Sequence, residues 1–122
     1  MIKNLTKKKI LVRTTETADT IGSKTKGLMF RKSLADDSGM LFIFGYERRH
    51  EMWMFGMRFP IDIIFIDSKL FIRTIWKSVP PCVSEPCPTY PSGVKIKYVL
   101  EASSGFCEKF GVKENQKVEF VP

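Results

Sequence analysis

The chain has 122 residues, of which 43% are hydrophobic and 27% charged, with three cysteines, one histidine and a formal net charge of +7. That length and balance fit one globular domain able to fold without metals or disulfides, and they exclude a solenoid repeat and a low-complexity chain. Lys3, Lys7, Lys8, Lys9 and Arg13 precede the first acid, Glu16, and leave fifteen bases against thirteen acids in the remainder, so the charge is a local basic run with no means of reading a base sequence.

Residues 1–9 therefore read as a basic tail and residues 10–122 as the domain. The tail lacks the apolar stretch of a secretory signal, and no segment reaches transmembrane length, so a cytoplasmic protein with no membrane partner is expected. "KKKILVRTTE" (7–16) runs into β-branched residues and predicts a first strand. Over 17–29 the pattern becomes helical, with Thr17 or Asp19 as N-cap, Lys24 and Lys26 in the last turn and Gly27 as the stop. "GMLFIFG" (39–45) is a continuous apolar run bounded by glycines, as in a strand buried on both faces.

Residues 48–54 alternate, and "PIDIIFID" (60–67) begins with a proline tolerated at the first residue of a strand. "LFIRTIWKSV" (70–79) completes a hairpin, and residues 80–93, with five prolines and Gly93, predict a stiff loop. "KIKYVLEA" (95–102) is a further strand. "SSGFCEKFG" (103–111) is a short helix capped by Ser103 or Ser104 and stopped at Gly111, and "QKVEFV" (116–121) is the last strand. The expected fold is mainly β with two short helices, an antiparallel β-sandwich or partly open barrel.

Three groups of residues invite chemistry. Strand alternation would put His50, Met52 and Met54 on one face, a donor set for Cu(I), although methionine is also an adaptable core filler. Asp62 lies among Ile61, Ile63 and Ile64, where a carboxylate needs hydrogen bonds or a cation. Arg58 could supply the cation, and the role is either a structural acceptor or a carboxylate facing a ligand. Cys82 and Cys87 could form a disulfide, remain thiols, or join Cys107 and His50 around zinc. With one histidine, no nucleophile elbow and no phosphate-binding glycine loop, no catalytic residue is assigned and no cofactor is expected.

The ordered motifs "GLMFRKSL", "GMLFIF", "WM", "PIDIIFID", the two cysteines, "TY" and "YVLEASSGFCEKFGV" resemble the domain-of-unknown-function 192 family, also called uncharacterised protein family 127, over about residues 10–121. The resemblance maps the family's shared positions onto Gly27, Leu28, Met29 and Arg31, Gly39 to Phe42, Trp53 and Met54. It maps others onto Pro60, Asp62, Cys82, Cys87, Tyr90, Leu100, Glu101 and Gly105. It implies a mainly β fold of the sandwich type and no established activity. The polar segment that relatives carry after the Trp-Met pair is Phe55, Gly56 and Met57 here, and a Gly-Asp turn is replaced by Glu114 and Asn115, the latter tolerant of left-handed backbone.

If the 80–93 loop folds over "FGMRFP", then Trp53, Arg58, Asp62 and Tyr90 would line an aromatic cleft with one acid and one base, the usual form of a small-molecule or peptide site. The expectation is thus a non-enzymatic binding domain for an unknown small molecule or protein partner, with no specific nucleic acid. The alternative is a structural or interaction domain that recruits partners along an exposed strand edge.

Overall fold

A computed structural model describes residues 1–18, 24 and 27–121. Its strands are β1 (Ile2–Asn4), β2 (Lys9–Val12), β3 (Thr14–Ala18), β4 (Ser38–Arg48), β5 (Glu51–Trp53) and β6 (Ile61–Ile66). There follow β7 (Ile72–Val79), β8 (Thr89–Pro91), β9 (Ile96–Ser103), the single-turn helix α1 (Phe106–Phe110) and β10 (Val118–Phe120). The strands form three sheets: β3-β4-β9-β6-β7, β10-β1-β2 and β5-β8. The mainly β expectation holds, but the described residues form no closed barrel, and β3 pairs parallel to β4 within an otherwise antiparallel sheet. One of the two predicted helices forms, as α1. The other, 17–29, is strand at Thr17 and Ala18, and most of the rest lies outside the described residues.

The five-stranded sheet has a core on each face. Ile64, Ile66, Leu100 and Ala102 point to a cluster that includes Ile2, Val12, Phe106 and Val118, so the small sheet and α1 cover that side. Ile61, Ile63, Phe65 and Val99 point the other way, toward Leu28, Met40, Phe42, Met54 and Met57. Strand β6 lies between β7 and β9 with a core above and below, and all six of its residues are buried. That accounts for a continuous apolar run in place of alternation. Strand β4 is buried on both faces only from Gly39 to Phe42, and then passes through Gly45 to an exposed end at Arg48.

The basic tail is corrected by the structure. Residues 2–4 form the central strand of the small sheet, with Ile2 opposite both Phe120 and Val12 and fully buried. Lys3 and the lysines at 7–9 give the segment its charge, but Ile2, ahead of them, is the apolar side chain that anchors it. The chain's few amides close this corner: Asn4 Nδ2 donates to Gln116 Oε1 at 2.8 Å, and Gln116 Nε2 donates to the Gly111 carbonyl at 3.1 Å. Asn115 adopts φ 70°, the left-handed turn its side chain tolerates. No helix among the described residues is long and apolar enough to cross a membrane.

Candidate functional site

Asp62 is a structural acceptor. It is 1% exposed and takes the backbone N–H of Ser78 on Oδ1 at 2.8 Å and that of Cys107 on Oδ2 at 2.9 Å. The second bond serves a helix that lacks a cap of its own. The residue preceding α1 is Gly105, in left-handed conformation and without a side chain, in place of the serines expected there. A carboxylate from β6 therefore satisfies an N–H that a helix start leaves unpaired. Arg58 is exposed and makes no ion pair with Asp62, so the expected cation is replaced by two amides. Burial, with the Asp62 charge second, holds the Cys107 thiol well above its ordinary range.

On the opposite face of the same sheet lies a cleft of about 430 Å³. Its walls include Leu28, Phe42, Met52, Trp53, Phe55 and Met57, and Glu101 contributes a carboxyl among them. Register decides which acid faces it. Glu101 of β9 stands between Met40 of β4 and Ile63 of β6, on the side of Val99, whereas Asp62 pairs with Ala102 on the side of Leu100. Glu101 is only 4% exposed, and its neighbours across the strands, Met40 and Ile63, are apolar. Burial alone pushes its carboxyl up to about 8, which leaves it mainly protonated at neutral pH.

Two turns build the walls. Met57 N–H donates to the Met54 carbonyl at 3.1 Å, and Phe30 N–H to the Gly56 carbonyl at 2.9 Å, so the 54–57 turn rests on the 27–30 turn. Gly56 has φ 78° and touches the Met29 side chain so closely that an added Cβ would lie 2.6 Å from Met29 Cε. A side chain there would be strained and would also force Met29, which lines the cleft, to shift. Trp53 is 45% exposed and packs against Phe55 with ring centroids 5.3 Å apart.

The 80–93 loop does lie along "FGMRFP". Cys82 pairs with Phe55 in an isolated parallel bridge, β8 pairs with β5, and Cys82 N–H donates to the Met54 carbonyl at 3.2 Å. Cys82 and Cys87 form a disulfide with Cα atoms 5.9 Å apart. Cys107 is buried on the other face, so the two bridged cysteines, Cys107 and His50 do not form a zinc set. Tyr90 packs edge-on against Trp76 at 5.4 Å and does not line the cleft. Of Trp53, Arg58, Asp62 and Tyr90, expected to share one cleft, Trp53 alone lines this one. The donors proposed for Cu(I) diverge: His50 stacks on Phe44 at 3.7 Å, Met52 lines the cleft and Met54 is buried in the core.

The resemblance names Glu101 only as a shared position, with no site role, and Ser92 is not singled out at all. Ser92 is 1% exposed, and its Oγ accepts from His50 N–H at 3.0 Å and donates to the Val94 carbonyl at 2.7 Å, pinning the loop. The signal for Glu101 was present in "YVLEA", a carboxylate inside a strand of apolar residues, the same pattern that drew attention to Asp62.

The family model DUF192, described as "Uncharacterized ACR", matches residues 2–120. The chain belongs to the DUF192 family. The match reaches residue 2 and so takes in β1, which the sequence resemblance from about residue 10 left out. A crystal structure from Sinorhizobium meliloti, of a protein described as a proposed transcription regulator, is similar at 37% identity and TM-score 0.80, over 86% of this chain and 79% of that one. A crystal structure of a protein of unknown function from Novosphingobium aromaticivorans is similar at 28% identity and TM-score 0.86, over 98% and 81%. No curated protein matches. Within this DUF192 chain, six positions that carry the sequence resemblance meet at the cleft: Gly27, Leu28, Met29, Phe42, Trp53 and Glu101. Asp62 and Gly105 serve α1 on the opposite face.

Proposed function

We propose that this protein is a small-ligand-binding domain whose site is the Glu101 cleft, with apolar and aromatic walls supplying most of the contact and the acid supplying orientation. The observation that supports the reading is Glu101 itself: an acid only 4% exposed, flanked across the strands by Met40 and Ile63, that lines a cleft with mostly apolar walls. Holding a carboxyl away from water costs free energy, a cost that hydrogen bonds from a bound ligand would offset. The alternative, a partner recruited along a strand edge, has less support. The outer strand β7 carries exposed Arg73 and Lys77, and its register with β6 is irregular near Ser78, which sits at φ 49°. Charge and bulging are how sheet edges avoid pairing.

A fragment screen read by methyl NMR tests the proposal. Binding fragments are expected to shift the methyl signals of Met52 and Met57 and to leave that of Met1 unmoved. Hits that leave Met52 and Met57 unperturbed would reject the cleft as the site.

A further inference from the structure

Resting on the cleft reading above and narrowing it, we propose that the ligand is a protonated organic amine, its ammonium group against the Glu101 carboxylate and its hydrocarbon body against the rings of Phe42, Trp53 and Phe55. The strand neighbours of Glu101, Met40 and Ile63, offer its carboxyl no charged side chain, so an ionised Glu101 gains its counter-charge from a cationic ligand. A carboxylate in such surroundings becomes tolerable when a cation arrives with it. The walls favour the same class: ring faces attract cations, and the thioethers of Met52 and Met57 are polarisable.

Charge at the mouth agrees. Glu51 lines the cleft as a second acid, and the base among its described residues, Lys24, has its ammonium 4.9 Å over the Phe44 ring, which is outside the lining. An anionic ligand would meet the acid Glu51 at the mouth and could not supply the counter-charge that an ionised Glu101 needs. Neither β4 nor β6 places another titratable side chain beside Glu101, because Met40 and Ile63 occupy those positions.

Binding has a proton balance that separates an amine from a neutral ligand. Burial holds the Glu101 carboxyl up to about 8, so near neutral pH the free protein carries the proton. When the amine binds, Glu101 O–H gives that proton to solvent and an ammonium N–H takes its place as donor. About one proton is released per ligand at neutral pH, and affinity rises with pH until the free carboxyl is itself ionised.

The test is isothermal titration of the full chain near neutral pH with 2-phenylethylamine, 2-phenylethanol and phenylacetate, in two buffers of different protonation enthalpy, with the Met52 and Met57 methyl signals followed in parallel. The amine is expected to bind about tenfold more tightly than the alcohol, to release close to one proton, and to perturb both methyl signals. Glu101→Gln should abolish the preference and the release, and Glu51→Gln should weaken the amine by a smaller factor. Should Glu101→Gln fail to fold, proton release and the amine-over-alcohol ratio in the unmodified protein decide alone. Equal binding of amine and alcohol without proton release would overturn the amine assignment while leaving a ligand in the cleft. No binding by any of the three probes would also overturn it, and the cleft reading would then be judged by the fragment screen.

Discussion

Two buried carboxyls, Asp62 and Glu101, stand near each other in β6 and β9 yet face opposite sides of one sheet, and their partners give them different chemistry. Asp62 accepts two backbone amides, so it is held as an acceptor that ties β6 to β7 and α1. Asp62→Asn keeps one acceptor oxygen and turns an N–H toward an N–H, which costs roughly 1–3 kcal/mol and lowers the melting temperature by several degrees. Glu101 should act in the opposite sense. Its carboxyl is raised by burial from 4.5 to about 8. The unfolded chain therefore gives up this proton at lower pH than the folded one, and stability falls as pH rises from about 4.5 to about 8 and is flat beyond. Each pKa unit corresponds to about 1.4 kcal/mol, so the loss is on the order of a few kcal/mol. Melting curves between about pH 5 and about pH 9 should show the slope in the unmodified protein and its absence in Glu101→Gln. An unchanged slope in that variant would remove Glu101 as its cause.

Among the elements, the 80–93 loop is the one that covers a short sheet without having a core of its own. Its attachments are the disulfide, the Cys82–Phe55 bridge, three β8-β5 register pairs and the Ser92 hydroxyl. Trp76 Nε1 adds a bond to the Pro91 carbonyl at 3.0 Å. Closing so small a covalent ring stabilises the folded state by about 2 kcal/mol on chain-entropy grounds. The double variant Cys82→Ser, Cys87→Ser should therefore melt lower by that order, with faster hydrogen exchange at Thr89 and Tyr90 and protection at Ile63 and Ile64 in β6 changed only through global stability. Equal acceleration in both strands would mean that the bridge supports the whole fold and not this loop. A loop of prolines was legible in the sequence, but its destination was not. Proline sets local stiffness, whereas pairing with β5 depends on where β5 stands after the sheet has formed.

In the whole molecule, the two ends of the chain are joined. Met1 amino nitrogen donates to the Val121 carbonyl at 3.0 Å, and β1 pairs with β10 beneath the central sheet. Removing residues 1–4 strips Ile2 from the core and Asn4 from its bond to Gln116. Losing a buried isoleucine side chain alone costs about 2–5 kcal/mol. Truncation should therefore lower the urea midpoint of a single cooperative transition, and a midpoint equal to that of the full chain would return these residues to the status of a tail. Local signals determined much of this protein. The apolar run of "PIDIIFID", the glycine stop at Gly111, the left-handed tolerance of Asn115 and the spacing of the DUF192 motifs are properties of neighbouring residues, and they specify strands, turns and family without reference to distant chain. Tertiary structure decided what depends on register: which of two similar acids faces a cleft, whether an N-terminal segment is tail or strand, and whether Cys82 meets Cys87 beside Phe55. A shift of one residue turns every side chain of a strand to the other face, and that alignment is set by partners as distant in sequence as Phe120 is from Ile2.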